Sequence, residues 1–304
     1  MIRCCFFIFL ILFLAPVVAR AAGSPPQAPA EYQLDVAFDV PNSKIMGTAR
    51  INVRAGKELI LRTGTLKIIE VRSGGHKIEA DIHNGIMKLV PHAEGTIIIV
   101  YEGIFKGGKD FKGTNFGVVP SVIEERGISL TGLWYPCIDE LSFYHLSAAL
   151  PEGFTAVSEA DEIRKSAGNG QVHFVFDFQH PAPGINFIAV RGCEEIKSTL
   201  NGTGIYAYFF REDLPLAGRY IEYAKKYIRL YEGMLGKYPY RRFSVVENFL
   251  PSGYSMPSFT LLGRDVVRLP FILETSLGHE VLHQWFGNLV YVDYDKGNWS
   301  EGLT

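Results

Sequence analysis

Near the end of the chain, in HEVLHQWFGNLV, two histidines stand four residues apart, His279 and His283, with Glu280 directly after the first. On a helix, residues four apart share one face, so two imidazole nitrogens come within reach of a single zinc ion and Glu280 stands beside them. Zinc lowers the pKa of bound water toward neutrality, and a neighbouring carboxylate can take the proton as a carbonyl carbon is attacked. That is metal-assisted hydrolysis of an amide. The bland alternative is two histidines on one face by chance, one in the core and one on the surface. A catalytic zinc takes three protein ligands and keeps a fourth position open. Glu301, separated from His283 by 17 residues, is the candidate third donor, because Asn298 or Ser300 can start a helix that aims the carboxylate back. Asp293 and Asp295 compete from YVDYDKG, which reads as a connecting loop.

The elements that position these residues follow from periodicity. A helix entered at Pro270 carries FILETSLGHEVLHQWF and closes at Gly287. Before it, SFTLLG and RFSVVENFL read as strands and PSGYSMP as a turn or irregular edge. In LAGRYIEYAKKYIRLYEGMLGKYPY, residues Tyr220, Ala224, Tyr227, Ile228, Tyr231 and Leu235 keep helical spacing. Gly236 suits the C-cap there, and Pro239 ends the run. Upstream the period is two: Tyr32, Leu34, Val36 and Phe38 alternate with polar neighbours, as do Ala49, Ile51 and Val53, and TIIIVYEG is β-branched. Turn signals such as PNSK, SGGHK and KGGKD punctuate residues 31 to about 198, which read as one antiparallel β domain. The fold class is α+β.

The sequence has 304 residues, 30 basic against 32 acidic, and no cationic block. Nucleic acid and a polybasic membrane contact are therefore not expected partners. The N-terminus, MIRCCFFIFLILFLAPVVARAA, sets Arg3 before 16 apolar residues and ends in Ala19-Arg20-Ala21, the pattern of a cleaved export signal over residues 1–21. A flexible leader, residues 22–30, follows. The expected location is secreted or periplasmic, with no membrane contact beyond export. Cys4 and Cys5 leave with the signal, and Cys137 and Cys193 are free to pair in an oxidising compartment without forming a disulfide framework.

HEVLHQWFGNLV followed by Trp299-Ser300-Glu301-Gly302 resembles the zinc signature of the aminopeptidase N type of metallopeptidase, a gluzincin family. WYPCIDELSFYHLSAALPEGFTAVSEA, from Trp134, is similar to a segment of that family's saddle-shaped N-terminal β domain. YEGMLGKYPYRRFSVV resembles the entry to its thermolysin-like catalytic domain, here residues 199–304. The resemblance implies one zinc per chain held by His279, His283 and Glu301, with Glu280 as general base and a peptide or protein as substrate. Asp139 and Glu140 also match, yet as a charged pair at a domain edge they read as structural, and Trp285 and Asn288, which match too, read as packing and supporting hydrogen bonds. Three departures qualify the resemblance. The spacing from His283 to Glu301 is one residue shorter than usual. Where the family's exopeptidase motif places a glutamate that helps to hold the substrate's amino group, this chain has Pro257, within Gly253-Tyr-Ser-Met-Pro-Ser258; Ser255, Met256 and Ser258 are the candidate substrate contacts there. Glu247 is the nearest other acid, reaching that place only if its strand bends back. Third, the family continues past the position of Thr304 with a region that supplies an oxyanion-stabilising tyrosine, so a fragment of a longer polypeptide is expected. The rival readings are a zinc or peptide-binding protein without turnover and a purely structural β module.

Overall fold

A computed structural model describes residues 29–53, 56, 58–91, 94–107, 121–251 and 253–304. The export signal, the leader up to residue 28 and the KGGKD turn past Gly107 lie outside the described residues. Strands dominate the first two thirds, as the period of two predicts. The strand Ala30–Asp39 buries Tyr32, Leu34, Val36 and Phe38 on one face, and Gly95–Ile104 buries Ile97, Ile99 and Tyr101 in the same alternation. Both lie in an eight-stranded sheet whose order is Glu162–Gly168, Gln171–Ala182, Ser142–Pro151, Ala30–Asp39, Lys44–Val53, Gly95–Ile104, Lys67–Ser73, His76–Lys77.

One pairing departs from the antiparallel expectation. Ala30–Asp39 runs parallel to Ser142–Pro151, with Ala30 opposite Ser142, so the sheet is mixed. Parallel neighbours need a long connection, and the chain between Asp39 and Ser142 supplies one that alternation within a strand cannot reveal. Sheets of four and three strands pack with the large one into a common core. The WYPCID segment pins them together. The Trp134 indole donates to Ile185 O (2.9 Å), the Ile138 N–H donates to the Tyr32 hydroxyl and the Ile185 N–H to that of Tyr135 (both 3.1 Å). Asp139 pairs with Arg62 at 2.6 Å on the surface. Cys137 and Cys193 are both free thiols.

A five-stranded mixed sheet follows in the order Cys193–Leu200, Thr203–Phe210, Arg242–Asn248, Phe259–Gly263, Gly253–Met256. Its first strand straddles residue 198, where the sequence divides the chain. The segment expected as a turn or irregular edge, PSGYSMP, contributes the edge strand Gly253–Met256, because Gly253 to Met256 find ladder partners in Leu262 to Phe259. Helix α1, Leu214–Leu235, starts with Pro215 in its first turn and buries Ala217, Tyr220, Ile221, Ala224 and Ile228 against this sheet. Three short helices complete the described chain: α2 (Arg264–Val267), α3 (Ser276–Leu282) and α4 (Trp299–Leu303). No helix among the described residues is long and apolar enough to cross a membrane.

Candidate metal centre

The helix bearing the two histidines is shorter than its sequence predicts. Residues 268–275 form successive turns and regular helix begins at Ser276. A tertiary contact explains this: the Tyr227 hydroxyl, from α1, donates to Leu273 O (2.9 Å), and the Leu277 N–H turns to Ile272 O instead. Gly278 permits the close approach of α3 to α1. A Cβ there would lie 2.9 Å from the Tyr227 ring and 3.2 Å from the Tyr231 hydroxyl. Beyond Leu282 the backbone keeps helical hydrogen bonds but tightens, with Gln284 N–H donating to Val281 O and Trp285 N–H to Leu282 O, so His283 still lies one turn from His279.

Gly287, at φ 102°, then reverses the chain in a conformation that L side chains avoid. The turn brings Phe286 O to 3.0 Å from His283 Nδ1. A carbonyl only accepts, so Nδ1 carries the proton and Nε2 keeps its lone pair for a metal. The same turn admits α4, whose Ser300 Oγ would lie 3.4 Å from a Cβ at position 287.

His279 Nε2 and His283 Nε2 are 3.1 Å apart; Glu301 Oε2 is 3.3 Å from the first and Oε1 is 3.4 Å from the second. Ligand atoms about 2.0–2.1 Å from a tetrahedral zinc are separated by roughly 3.3–3.4 Å, so the three edges fit one shared centre. These residues form the only group of three or more potential metal ligands among the described residues. Asp293 instead pairs with Lys296 at 2.7 Å. Burial holds the His283 imidazole below its ordinary pKa, which favours the neutral ligand form.

Glu280 follows His279 on α3 and faces the same cavity, of about 750 Å³. Burial, then the Glu301 charge, pushes its carboxyl up to about 7. A group poised there can take a proton near neutral pH. A Cβ on Gly253 would lie 4.0 Å from Glu280 Oε1, which sets the edge strand beside the carboxylate.

Residues Gly253 to Met256, with Pro257, line the cavity, and Ser255 joins the two walls. Its hydroxyl donates to Glu280 O (2.9 Å) and accepts from Gln284 Nε2 (2.9 Å) and Asn288 Nδ2 (3.2 Å). Met256 is buried in a cluster with Val157, Ile188 and Phe259. Ser258 is 1% exposed and lies outside the cavity lining; its hydroxyl accepts from the Ala160 N–H (3.2 Å). The Ser258 side chain is thus a core group rather than a substrate contact. Glu247 is fully buried, accepting from the Phe210 N–H (2.8 Å), and is not among the cavity's lining residues. Trp285 packs edge-on against Tyr231 and Tyr238.

Two residues that the sequence did not single out bear on this cavity. Gln284 ties the histidine helix to the edge strand, donating also to Met256 O (3.0 Å) and accepting from the Ser258 N–H (2.8 Å). Glu159, 2% exposed, lines the wall formed by the β region. Neither has a local spacing signal.

No family model matches the chain. It is 26% identical to aminopeptidase B of Mus musculus over 198 residues, 60% of this chain and 28% of that protein. It is 22% identical over 293 residues to the probable aminopeptidase 2 of Sulfurisphaera tokodaii, 88% of this chain and 37% of that one. Its fold matches the M1 zinc metallopeptidase of Deinococcus radiodurans with a TM-score of 0.64 at 14% identity, over 88% of this chain and 66% of that one. The chain shares its fold with M1 zinc metallopeptidases and has sequence similarity to aminopeptidases. It spans about a third of the length of these curated relatives. A mutant of the Deinococcus enzyme, similar at a TM-score of 0.63 and 13% identity, was solved bound to the substrate Tyr-Ser-Ala.

Proposed function

We propose that this chain is a member of the M1 metallopeptidase family, comprising the β domain (residues 31–198) and the metal-binding start of the catalytic domain (199–304) of an exported, secreted or periplasmic zinc peptidase. The observation that carries this is the meeting of His279, His283 and Glu301 at 3.1–3.4 Å beside the half-buried Glu280. The donor set suits one zinc: two imidazoles and a carboxylate, with room in the cavity for a further position. When bound, zinc supplies Lewis acidity, polarising a carbonyl and acidifying water.

The chain's own residues do the rest. Phe286 O fixes the His283 tautomer, and the hydroxyl of Ser255 fixes the backbone at Glu280. The Glu280 carboxylate takes a proton from the attacking water and can return it to the leaving amine. Gly253–Met256, at the end of its sheet, offers an edge to which an extended peptide backbone can add as a further strand. The reaction is aminopeptidase-like in kind, with the usual amino-group glutamate replaced by Pro257. That replacement favours, as a second reading, a zinc or peptide-binding protein with impaired turnover.

The test is zinc content together with hydrolysis of amide substrates that carry free or blocked amino termini. One zinc per chain with turnover abolished in Glu280→Gln supports the peptidase; zinc without turnover of either substrate supports the binder; absence of zinc defeats the peptidase and leaves at most a peptide binder.

A further inference from the structure

Gln284 directly follows the second histidine, and its side chain reaches away from the metal ligands to the far end of the edge strand. It is fully buried. Nε2 donates to Met256 O (3.0 Å) and to the Ser255 hydroxyl (2.9 Å), while Oε1 accepts from the Ser258 N–H (2.8 Å). The Tyr238 hydroxyl, 3.3 Å from Oε1, divides its one proton between that oxygen and Arg242 O at 3.1 Å. These partners fix which way the amide points. Met256 O can only accept and the Ser258 N–H can only donate, so a reversed amide would set acceptor against acceptor and donor against donor.

The turn between those two backbone groups is poorly suited to hold the strand alone. Met256 and Phe259 lie opposite each other, so Pro257 and Ser258 form a two-residue hairpin loop. Proline comes first, and Ser258 stands at φ 71°, a left-handed backbone for a residue with a side chain. That order fits a type II turn, whose twist splays the strands it joins, whereas two-residue hairpins favour the primed turns. The strand has ladder partners on one side only, Leu262 to Phe259. Gln284 grips the backbone on both sides of Pro257 and so supplies a second anchor. The Ser255 hydroxyl extends the tie to Glu280 O (2.9 Å). Edge strand, histidine segment and the backbone of Glu280 are thereby joined in one hydrogen-bonded chain.

We infer that Gln284 is a positioning residue for extended substrates: its grip on the Pro257 turn sets the spacing between the edge strand and the His279–His283 segment. The inference rests on the peptidase reading. A peptide added to Gly253–Met256 takes its place from that strand, and its carbonyl meets the metal ligands and Glu280 only at the right spacing. The ligands themselves have other supports, since Phe286 O holds His283 and α4 carries Glu301. Loss of the grip therefore costs registration of the substrate, and the cost grows with the number of substrate residues lying on the strand.

Steady-state kinetics on the full-length, zinc-loaded protein test it with a one-residue substrate, leucine 4-nitroanilide, and the tetrapeptide Leu-Ala-Ala-Ala. Gln284→Met keeps the side chain's length and removes its hydrogen bonds. It should raise KM for the tetrapeptide about tenfold more than KM for the anilide, the worth of one or two hydrogen bonds, with one zinc per chain retained. Gln284→Glu keeps the acceptor for Ser258. It should fall between Gln284→Met and the wild type at neutral pH and approach the wild type as the pH is lowered, because a protonated carboxyl can again donate to Met256 O. Equal changes in the two KM values, or a loss confined to kcat, in a folded variant overturn the inference. The wild type provides a check that requires no variant. Its Ser258 N–H should exchange with solvent as slowly as the neighbouring sheet amides, and fast exchange there overturns the inference whether or not the variants fold. If the wild type hydrolyses neither substrate, the peptidase reading fails by itself, and the same length ratio is read from calorimetric dissociation constants.

Discussion

Two acidic clusters flank the five-stranded sheet, and they are built on opposite electrostatic plans. Around Asp213, Arg268 donates to both carboxylate oxygens (2.8 and 2.7 Å) and Arg264 lies 3.7 Å away. The Arg268 hydrogen bonds hold Asp213 below the usual carboxylate range. Nearby Glu247 is pushed up by burial. This cluster closes on itself: every ionised acid has its cation in the fold. Around His283, the acids Glu280, Glu301 and Glu159 share a cavity whose described lining holds no basic residue but histidine. Charge that the fold answers is structural, and charge left facing a cavity awaits a ligand. The first cluster should govern stability, the second metal and substrate.

That contrast breaks down most visibly if the cavity acids prove inert. Replacing Glu280 by Gln should lower amide hydrolysis by about two to four orders of magnitude in steady-state assays, the usual worth of a general base, with zinc retained. Exchanging Asp213 for Asn should do the reverse, lowering the thermal midpoint by several degrees while metal analysis still finds one zinc. Gly278→Ala probes the link between α1 and the site: overlap with the Tyr227 ring should cost about 1–3 kcal/mol, visible in denaturant unfolding, with weaker zinc binding as α3 is displaced.

The smallest effect is the pH slope of stability in the metal-free protein. Burial raises Glu159 from an ordinary 4.5 to about 7, so between those values the folded chain holds a proton that the unfolded chain releases. Stability from this group is present at pH 4.5 and is lost as pH rises toward 7. Thermal scans across that window should show a declining midpoint in the wild type and a flatter profile in Glu159→Gln; an unchanged slope would deny the buried acid its role.

How much of this was legible in advance depends on how local its cause is. His279, Glu280 and His283 are encoded within five residues, where helical geometry alone sets their relation, and Glu301 follows once a short second helix is granted. The late start of α3 was hidden because it depends on the Tyr227 hydroxyl capturing Leu273 O, 46 residues away. Glu159 was hidden for the same reason: nothing near it in sequence marks it, and its partner Asn186 lies 27 residues on. Ser258 sits in the substrate-facing segment by sequence, yet its side chain turns inward to Ala160, and the parallel pairing of Ala30–Asp39 with Ser142–Pro151 joins strands remote in the chain. Alternation predicts which side of a strand is buried, not which strand lies beside it.

The central claim is that two imidazoles and Glu301 share a zinc ion. X-ray absorption on the purified protein, after metal analysis, tests it most directly. One zinc per chain, with a shell of nitrogen and oxygen at about 2.0–2.2 Å that disappears in His283→Ala, is the predicted result. Zinc that survives replacement of both histidines, or a shell containing sulfur from Cys137 or Cys193, would contradict it.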